Sequence, residues 1–328
     1  LADGNFGASL ALGIDVGGTT TKGALVAGDG SVVERGEVPT DSAAGTRGIV
    51  AVAQQLLDRR AGHGIAGIGV GAAGFVDAAT GCVTFSPNVK YDEPDIGAAL
   101  QRITGAPVVV DNDANVAVWG ERAFGAARGA GDVAMLTLGT GLGSGFVVGG
   151  RLLRGGTGAA GELGHTIVDP SGPRCPCGLS GCLEQSISGN AVARAGREAA
   201  RGNPDSLMSE LAGGVERISG RWVAEAAKRG DEAASSVLRS AGRALGVGMS
   251  NVVNIFDPEV IVIGGGLAQA GEPLLGPARD RMNAMLLAQG RRPQRLEIAL
   301  LGNDAGVVGA AALALARTSD GGEGAVHA

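Results

Sequence analysis

The stretch from Gly161 to Glu184, GELGHTIVDPSGPRCPCGLSGCLE, constrains this chain more than any other. It holds three of the four cysteines, Cys175, Cys177 and Cys182, with His165 just upstream. Three thiolates and one imidazole complete a tetrahedral set for zinc and leave no position for water, so such a site holds structure and activates no nucleophile. The short C-x-C spacing and the intervening Pro and Gly residues suit a tight knuckle wrapped around one ion. The competing arrangement is a disulfide with a spare thiol. An odd cysteine cluster beside a histidine fits a metal better. Glu162 and Glu184 flank the ligands, so the metal would fix two carboxylates that are distant in sequence. That builds a rigid polar pocket for a polyhydroxylated ligand.

The rest of the chain must fold with little aromatic mass. Of 328 residues, 45% are hydrophobic but only 3% aromatic, and 60 are glycine. The core therefore comes from Val, Ile, Leu and Ala, with many tight turns, and the length has room for two domains. The formal net charge is −6, there is no basic block, and lysines occur only at 22, 90 and 228. That balance argues against a nucleic-acid groove. No apolar run approaches the ~20 residues of a membrane span. The start lacks the charged segment of a signal peptide, and clustered cysteines favour a reducing compartment. The expectation is a soluble, cytoplasmic protein with no nucleic-acid or membrane partner, forming a homodimer or homotetramer.

Residues 1–8 read as loose. Three β-like runs follow, Leu10 to Val16, Thr21 to Ala27 and Ser31 to Val38, joined by Gly-rich turns. Helical spacing marks Thr46 to Arg60. Strands are expected over Ile65–Val70 and Pro107–Val110, the latter running into a helix that starts near Asn115. The opening arrangement then returns: a strand at Val133–Leu138, a Gly-rich turn, a strand at Ser144–Val148 and a short one at Arg151–Arg154. This repeat suggests two related α/β lobes with two Gly-rich turns able to face one cleft. Helices are expected over Ser188–Arg201, Ser206–Leu211 and Arg221–Lys228. The longest, from Asp231 to before Pro258, carries Val237, Leu238, Ala241, Leu245, Met249, Val252 and Ile255 on one face. A buried-type strand at Glu259–Ile263 leads through Gly264-Gly265-Gly266 into further helix. A last strand is expected at Leu296–Leu301, and Asp304 can cap a helix to Arg317. The domain expectation is a lobe over 9–120 completed by the helix at about 303–317, a larger lobe over 121–302 with the zinc knuckle, and a disordered tail at 318–328.

Several constellations carry chemistry. Asp15-Val16-Gly17-Gly18-Thr19-Thr20 is a candidate phosphate loop: glycines let backbone N–H groups approach phosphate oxygens, and hydroxyls add donors. Asp15 at the strand end could hold a hydrated Mg²⁺. The segment is not a Walker A loop, because no Gly-Lys-Ser/Thr closes it. Gly139-Thr140-Gly141 forms a second candidate. Gly69-Val70-Gly71-Ala72-Ala73-Gly74 matches G-x-G-x-x-G, but Phe75-Val76-Asp77 runs on into another turn where a dinucleotide site needs a helix. Close backbone packing beside a ligand is the expectation there. Asp111-Asn112-Asp113-Ala114-Asn115 follows a strand, where α/β sheets seat ligands. One of these residues is expected to cap a helix. Asp113 could take a proton from an attacking hydroxyl, while Asn112 anchors a neighbouring one. Asn88, in Ser86-Pro87-Asn88, lies on a loop. Cys82, His63, His327 and the arginines at 194, 197 and 201 read as ordinary loop or surface residues.

Together IDVGGTTTKGAL, SPNV, VVVDNDANVAVWGE, LTLGTGLGSG, GELGH, CPCGLSGCLE, IVIGGG and GNDAGVVGAA resemble the ROK family of bacterial sugar kinases and sugar-responsive repressors. They span residues 14 to about 311. The resemblance implies an actin/hexokinase-like (ribonuclease H-like) α/β fold of two lobes that close over sugar and ATP. It implies that Asn88, Asn112, Glu162, His165 and Glu184 hold sugar hydroxyls, that Asp113 is the base, and that Gly264–Gly266 lie near the adenosine. Thr20 stands where a Lys is common in the family, and Ser144 replaces a usual small Gly or apolar residue. The expected activity is phosphorylation of a hexose by ATP with Mg²⁺, glucose first, with N-acetylmannosamine, mannose or fructose as alternative substrates and polyphosphate as an alternative donor. The alternative is a sugar-responsive repressor on the same scaffold; it needs a DNA-binding module before Asp15, which the fourteen residues there cannot form and a further preceding segment would have to supply.

Overall fold

The computed structural model describes residues 9–59, 64–203, 206–287 and 294–319. The expectations for residues 1–8, His63, His327 and the tail beyond 319 lie outside these. In chain order the first elements are β1 (Leu10–Val16), β2 (Thr20–Ala27), β3 (Val32–Pro39), α1 (Gly45–Asp58), β4 (Gly67–Ala72), β5 (Phe75–Asp77), β6 (Cys82–Phe85), α2 (Ile96–Thr104), β7 (Val108–Asn112) and α3 (Asp113–Phe124). Then come β8 (Val133–Leu138), β9 (Leu142–Val148), β10 (Arg151–Leu152), α4 (Glu184–Ile187), α5 (Gly189–Arg201), α6 (Leu207–Ala212) and α7 (Gly220–Lys228). The chain ends with α8 (Glu232–Phe256), β11 (Val260–Gly264), α9 (Glu272–Met285), β12 (Arg295–Ile298) and α10 (Ala305–Ser319).

Two five-stranded sheets organise the chain, ordered β3-β2-β1-β4-β7 and β10-β9-β8-β11-β12. Position by position the two orders correspond; the sequence repeat covers the first three strands of each, β1–β3 and β8–β10. In the first, β1 and β2 pair antiparallel, whereas β1, β4 and β7 run parallel. The chain divides into two compact α/β units. One takes the described residues up to Val133, Gly145–Gly161 and the described residues from Ala299 on; the other takes Ala134–Ser144 and Glu162–Ile298.

In the first unit, Ile49, Val52, Ala53 and Leu56 of α1 close one face of the sheet over Leu12, Ile14, Leu25, Ile68 and Val70. Helix α10 closes over β1 and β4 at backbone distance. A Cβ on Gly13 would lie 1.8 Å from the Val307 carbonyl oxygen, and one on Gly69 would lie 1.8 Å from that of Ala310. In the G-x-G-x-x-G segment Gly69 therefore admits helix backbone, while Gly71 lies under the Val116 side chain and Gly74 against the Phe85 carbonyl, where a cofactor reading would have placed a pyrophosphate.

In the second unit, α8 and α9 run side by side and in the same direction. Gly242 meets the Leu274 carbonyl and Gly246 that of Ala278, while Ser250 Oγ reaches Met285 Sδ at 3.8 Å. Leu238, Ala241, Leu245, Met249 and Val252 are buried along α8 as their spacing predicts. Ile255 is not: it is 71% exposed, because α9 ends level with Ser250 and α8 runs on past it. Side-chain oxygens of Asp95, Ser188, Ser206 and Asp231 cap α2, α5, α6 and α8, satisfying first-turn N–H groups that would otherwise be orphaned. No described helix is long and apolar enough to cross a membrane.

Candidate active site

In the first unit the carboxyl ends of three parallel strands align. Asp15 of β1 pairs in register with Gly71 of β4, and Gly71 with Asp111 of β7. This edge is where an α/β sheet offers its ligand site. Asp15 is half-buried, and desolvation raises its carboxyl above the ordinary range, with Lys22 on the neighbouring strand partly opposing the shift. Its carboxylate lies against the first turn of α10, where a Cβ on Gly306 would sit 2.5 Å from Asp15 Oδ2. The adjoining turn is closed by the Gly17 N–H donating to the Thr20 carbonyl at 3.1 Å, and the Thr40 hydroxyl donates to the Gly17 carbonyl at 2.8 Å. Thr19 receives the Thr40 N–H on its carbonyl at 3.0 Å.

The Asp111–Asn115 run divides its labour. Asn112 is the helix cap: its Oδ1 accepts from the N–H groups of Ala114 at 2.9 Å and Asn115 at 3.2 Å, and its Nδ2 donates to the Gly74 carbonyl at 3.0 Å. One N–H of that amide is left for a ligand. Asp113 is thus the first residue of α3, two positions ahead of the expected helix start, and its side chain is exposed. Asp111 is buried and engaged. Its Oδ2 meets Arg154 Nε at 2.7 Å, and its Oδ1 accepts from the Asn112 N–H and from Asn115 Nδ2, each at 2.8 Å. Asn88 lies exposed on the loop between β6 and α2.

Tyr91, the single tyrosine of the chain, was not singled out in the sequence. Its hydroxyl donates to the Ala73 carbonyl at 3.3 Å. Burial, and then the charges of Asp113 and Asp15, hold the phenol well above its ordinary value, so it stays a donor. Its being the single tyrosine in a chain with only six Phe and two Trp besides was the available signal.

In the second unit the knuckle closes on itself. His165 and the three cysteines offer ligand atoms that all lie within 4.8 Å of one another. Cys177 Sγ and Cys182 Sγ are 3.6 Å apart, and Cys175 Sγ is 3.8 Å from His165 Nδ1. Two thiolates on one tetrahedral zinc stand about 3.8 Å apart, given a Zn–S bond of about 2.3 Å, so the donor set fits. None of the four cysteines is in a disulfide. Burial, reinforced by the adjacent Cys177 and Cys175 thiols, pushes the Cys182 thiol up to about 12. His165 turns Nδ1 to the cysteines and Nε2 toward Glu162, 3.9 Å from Oε2. Burial raises the Glu162 carboxyl, opposed by His165 and reinforced by Glu184. Gln185 Nε2 donates to Cys175 Sγ at 3.7 Å.

The knuckle is also tied to the second Gly-rich turn. Glu184 Oε2 accepts the Leu142 N–H at 2.9 Å, and a Cβ on Gly141 would lie 2.6 Å from the same oxygen. At the start of α5 the Gly189 N–H donates to the Gly139 carbonyl at 2.8 Å, and the Asn190 N–H reaches the Thr140 carbonyl at 3.4 Å. Gly265 packs on Leu138, immediately before that turn, and Gly266 borders open space. Gly264 ends β11. Ser144 has a structural reason to be a hydroxyl: its Oγ accepts the Leu163 N–H at 3.1 Å and fixes the turn that carries Glu162 and His165. The structure thus gathers Asp15, the Gly17–Thr20 turn, Asn112 and Asp113 in one unit. In the other it gathers Gly139–Gly141, Gly264–Gly266, Glu162, His165, Glu184 and the cysteines.

A glucokinase of Streptomyces coelicolor is 38% identical over 310 residues, covering 93% of this chain and 97% of that protein. The crystal structure of a ROK family glucokinase from Streptomyces griseus in complex with glucose and AMPPNP matches with a TM-score of 0.81 at 38% identity, over 93% of this chain and 99% of that one. A xylose repressor of Caldicellulosiruptor bescii is 32% identical over 253 residues, covering 77% of this chain and 63% of that protein. Residues 11–317 match the ROK family, and this chain belongs to it.

Proposed function

We propose that this chain is a hexokinase-type kinase that transfers the γ-phosphoryl group of ATP to the 6-hydroxyl of glucose, giving ADP and glucose 6-phosphate. What carries the reading is the likeness to the Streptomyces coelicolor glucokinase over nearly the whole of both proteins. In this reading Asn88, Asn112, Glu162, His165 and Glu184 hold sugar hydroxyls, and Asp113 accepts the proton of the attacking hydroxyl. The spare N–H of Asn112 orients the sugar beside that carboxylate. His165 serves two partners through two nitrogens: Nδ1 belongs to the metal set, and Nε2 lies on the Glu162 side. Zinc, when bound, supplies a fixed anchor for the Glu162–Glu184 wall. The turns Gly17-Gly18-Thr19-Thr20 and Gly139-Thr140-Gly141 offer backbone donors to phosphates. Gly264, Gly265 and Gly266 leave room for the adenosine, and Asp15 would hold hydrated Mg²⁺. A reducing cytoplasm would keep the knuckle thiols available.

A coupled ADP-release assay across glucose, mannose, fructose and N-acetylmannosamine, read as kcat/KM, tests the substrate. Glucose should lead, and MgATP should outpace polyphosphate. Equal or better use of another hexose would move the substrate reading, and exclusive use of polyphosphate would defeat the donor reading. The likeness to a xylose repressor supports a second reading, a sugar sensor. No turnover with any hexose, together with calorimetric sugar binding, would favour it.

A further inference from the structure

We infer that Arg154 is a positioning residue for the turn that carries Asp113. The inference rests on the reading of Asp113 as proton acceptor. The base of that turn is Asp111, which is buried at the end of β7. Its two oxygens face different ways. Oδ1 takes the Asn112 N–H and Asn115 Nδ2, the groups on either side of Asp113, while Oδ2 takes Arg154 Nε at 2.7 Å. Side-chain exposures of 15% for Arg154 and 3% for Asp111 set this pair apart from the surface ion pairs of the molecule. A hydrogen-bonded pair this dry has one geometry, and loss of the cation leaves a buried carboxylate free to turn toward other donors.

Arg154 is itself held. It follows β10, its carbonyl accepts the Ala160 N–H at 3.1 Å, and Gly158 of the same loop lies against the Val76 carbonyl, where a Cβ would come within 2.1 Å. The loop is thus a closed strap, and eight residues after Arg154 the chain reaches Glu162. Asp111 accordingly passes the position of the strap to the first turn of α3. Through that turn it fixes both the Asn112 amide and the Asp113 carboxylate.

The test compares Arg154→Met, Arg154→Lys and the double variant Asp111→Asn/Arg154→Met, reading melting temperature, kcat, and KM for glucose and MgATP. Misplacing a reacting group by about an ångström costs on the order of 10²-fold. Arg154→Met should lose about that in kcat, with the MgATP KM little changed, and Arg154→Lys should recover part of it. The double variant has no unpaired buried charge, so it should melt near wild type yet remain at least about tenfold slow in kcat. If it regains both stability and turnover, Arg154 serves the fold alone and the inference is overturned. A cycle with Asp113→Asn separates the two readings. Once Asp113 is Asn, Arg154→Lys should cost little more. A second full loss on top of the first overturns the inference while leaving Asp113 as acceptor. Wild-type turnover of Asp113→Asn itself overturns the acceptor reading, and the inference falls with it.

Discussion

Asp15, near the end of β1, and Asp113, just past β7, lie in one unit, yet their surroundings differ in a way that predicts opposite costs. Asp113 is exposed and heads α3, so Asp113→Asn removes proton-accepting capacity with little change of packing. Turnover with glucose and MgATP should fall roughly 10²–10⁴-fold, with calorimetric sugar affinity altered far less. Retention of near-wild-type kcat would place the acceptor elsewhere. Asp15 is half-buried, and desolvation raises its carboxyl despite Lys22. The folded chain therefore binds that proton more tightly than the unfolded one. The contribution of this group to stability is present below the ordinary carboxylate range and is lost as pH rises through the raised value. At neutral pH the half-buried charge costs stability. Asp15→Asn should then melt higher than wild type at pH 7, with the advantage shrinking at about pH 4, while turnover drops by roughly 10²-fold or more. A lower melting point at pH 7 would mean that the carboxylate is stabilised by its neighbours after all.

At the scale of elements, the Cys/His knuckle is a length of chain with almost no regular helix or strand, held by turn hydrogen bonds such as Cys175 N–H to the Leu179 carbonyl at 2.7 Å and Gly181 N–H to the Pro173 carbonyl at 3.0 Å, and a metal on its four candidate ligands would add a cross-link. Among its described contacts are an isolated bridge from Ile167 to Cys182 and another from Arg174 to Ser180, while α4, which follows, has only four residues. Metal analysis should find one zinc per chain. Cys177→Ser should lower zinc content and weaken glucose binding together, because Glu162, His165 and Glu184 share that anchor. Fully folded, active protein without zinc would contradict this. The knuckle was legible because its chemistry is local: four ligands lie within eighteen residues, from His165 to Cys182. Strands β1 and β8 were legible to the residue for the same reason, since apolar runs ended by Gly-rich turns state their own limits. β4 was displaced toward its amino end in the reading, Ile65–Val70 against Gly67–Ala72, because Gly67, Gly69 and Gly71 give no apolar signal. The start of α3 was missed by two residues because Asn112 caps it with a side chain. Asp304, expected as a cap, ion-pairs with Arg35 at 2.8 Å. The Asp111–Arg154 pair and the seat of Asp15 on Gly306 join residues far apart in sequence, which no local pattern encodes.

At the scale of the whole molecule, the first and last described elements belong to the same unit: α10 packs on the sheet that contains β1 and β4. That packing depends on glycines whose neighbours are backbone atoms. A Cβ on Gly69 would lie 1.8 Å from the Ala310 carbonyl oxygen, and one on Gly309 would lie 1.7 Å from that of Val116. Rotamer changes cannot relieve such contacts, because neither partner is a side chain. Only movement of α10 as a body could do so, and its first turn carries Gly306 against Asp15. Gly69→Ala should therefore cost about 3 kcal/mol or more, at or beyond the usual limit for overpacking. It should also raise the KM for MgATP by shifting the surroundings of Asp15. Gly156→Ala is the control, since a Cβ there meets nothing within 4 Å, and it should change the melting temperature little. Thermal melts paired with MgATP titrations decide the matter. If Gly69→Ala is as stable as Gly156→Ala, α10 has slack against the sheet and the close seating of Asp15 cannot depend on it. If it is destabilised with an unchanged KM for MgATP, the helix moves without carrying the Asp15 site along.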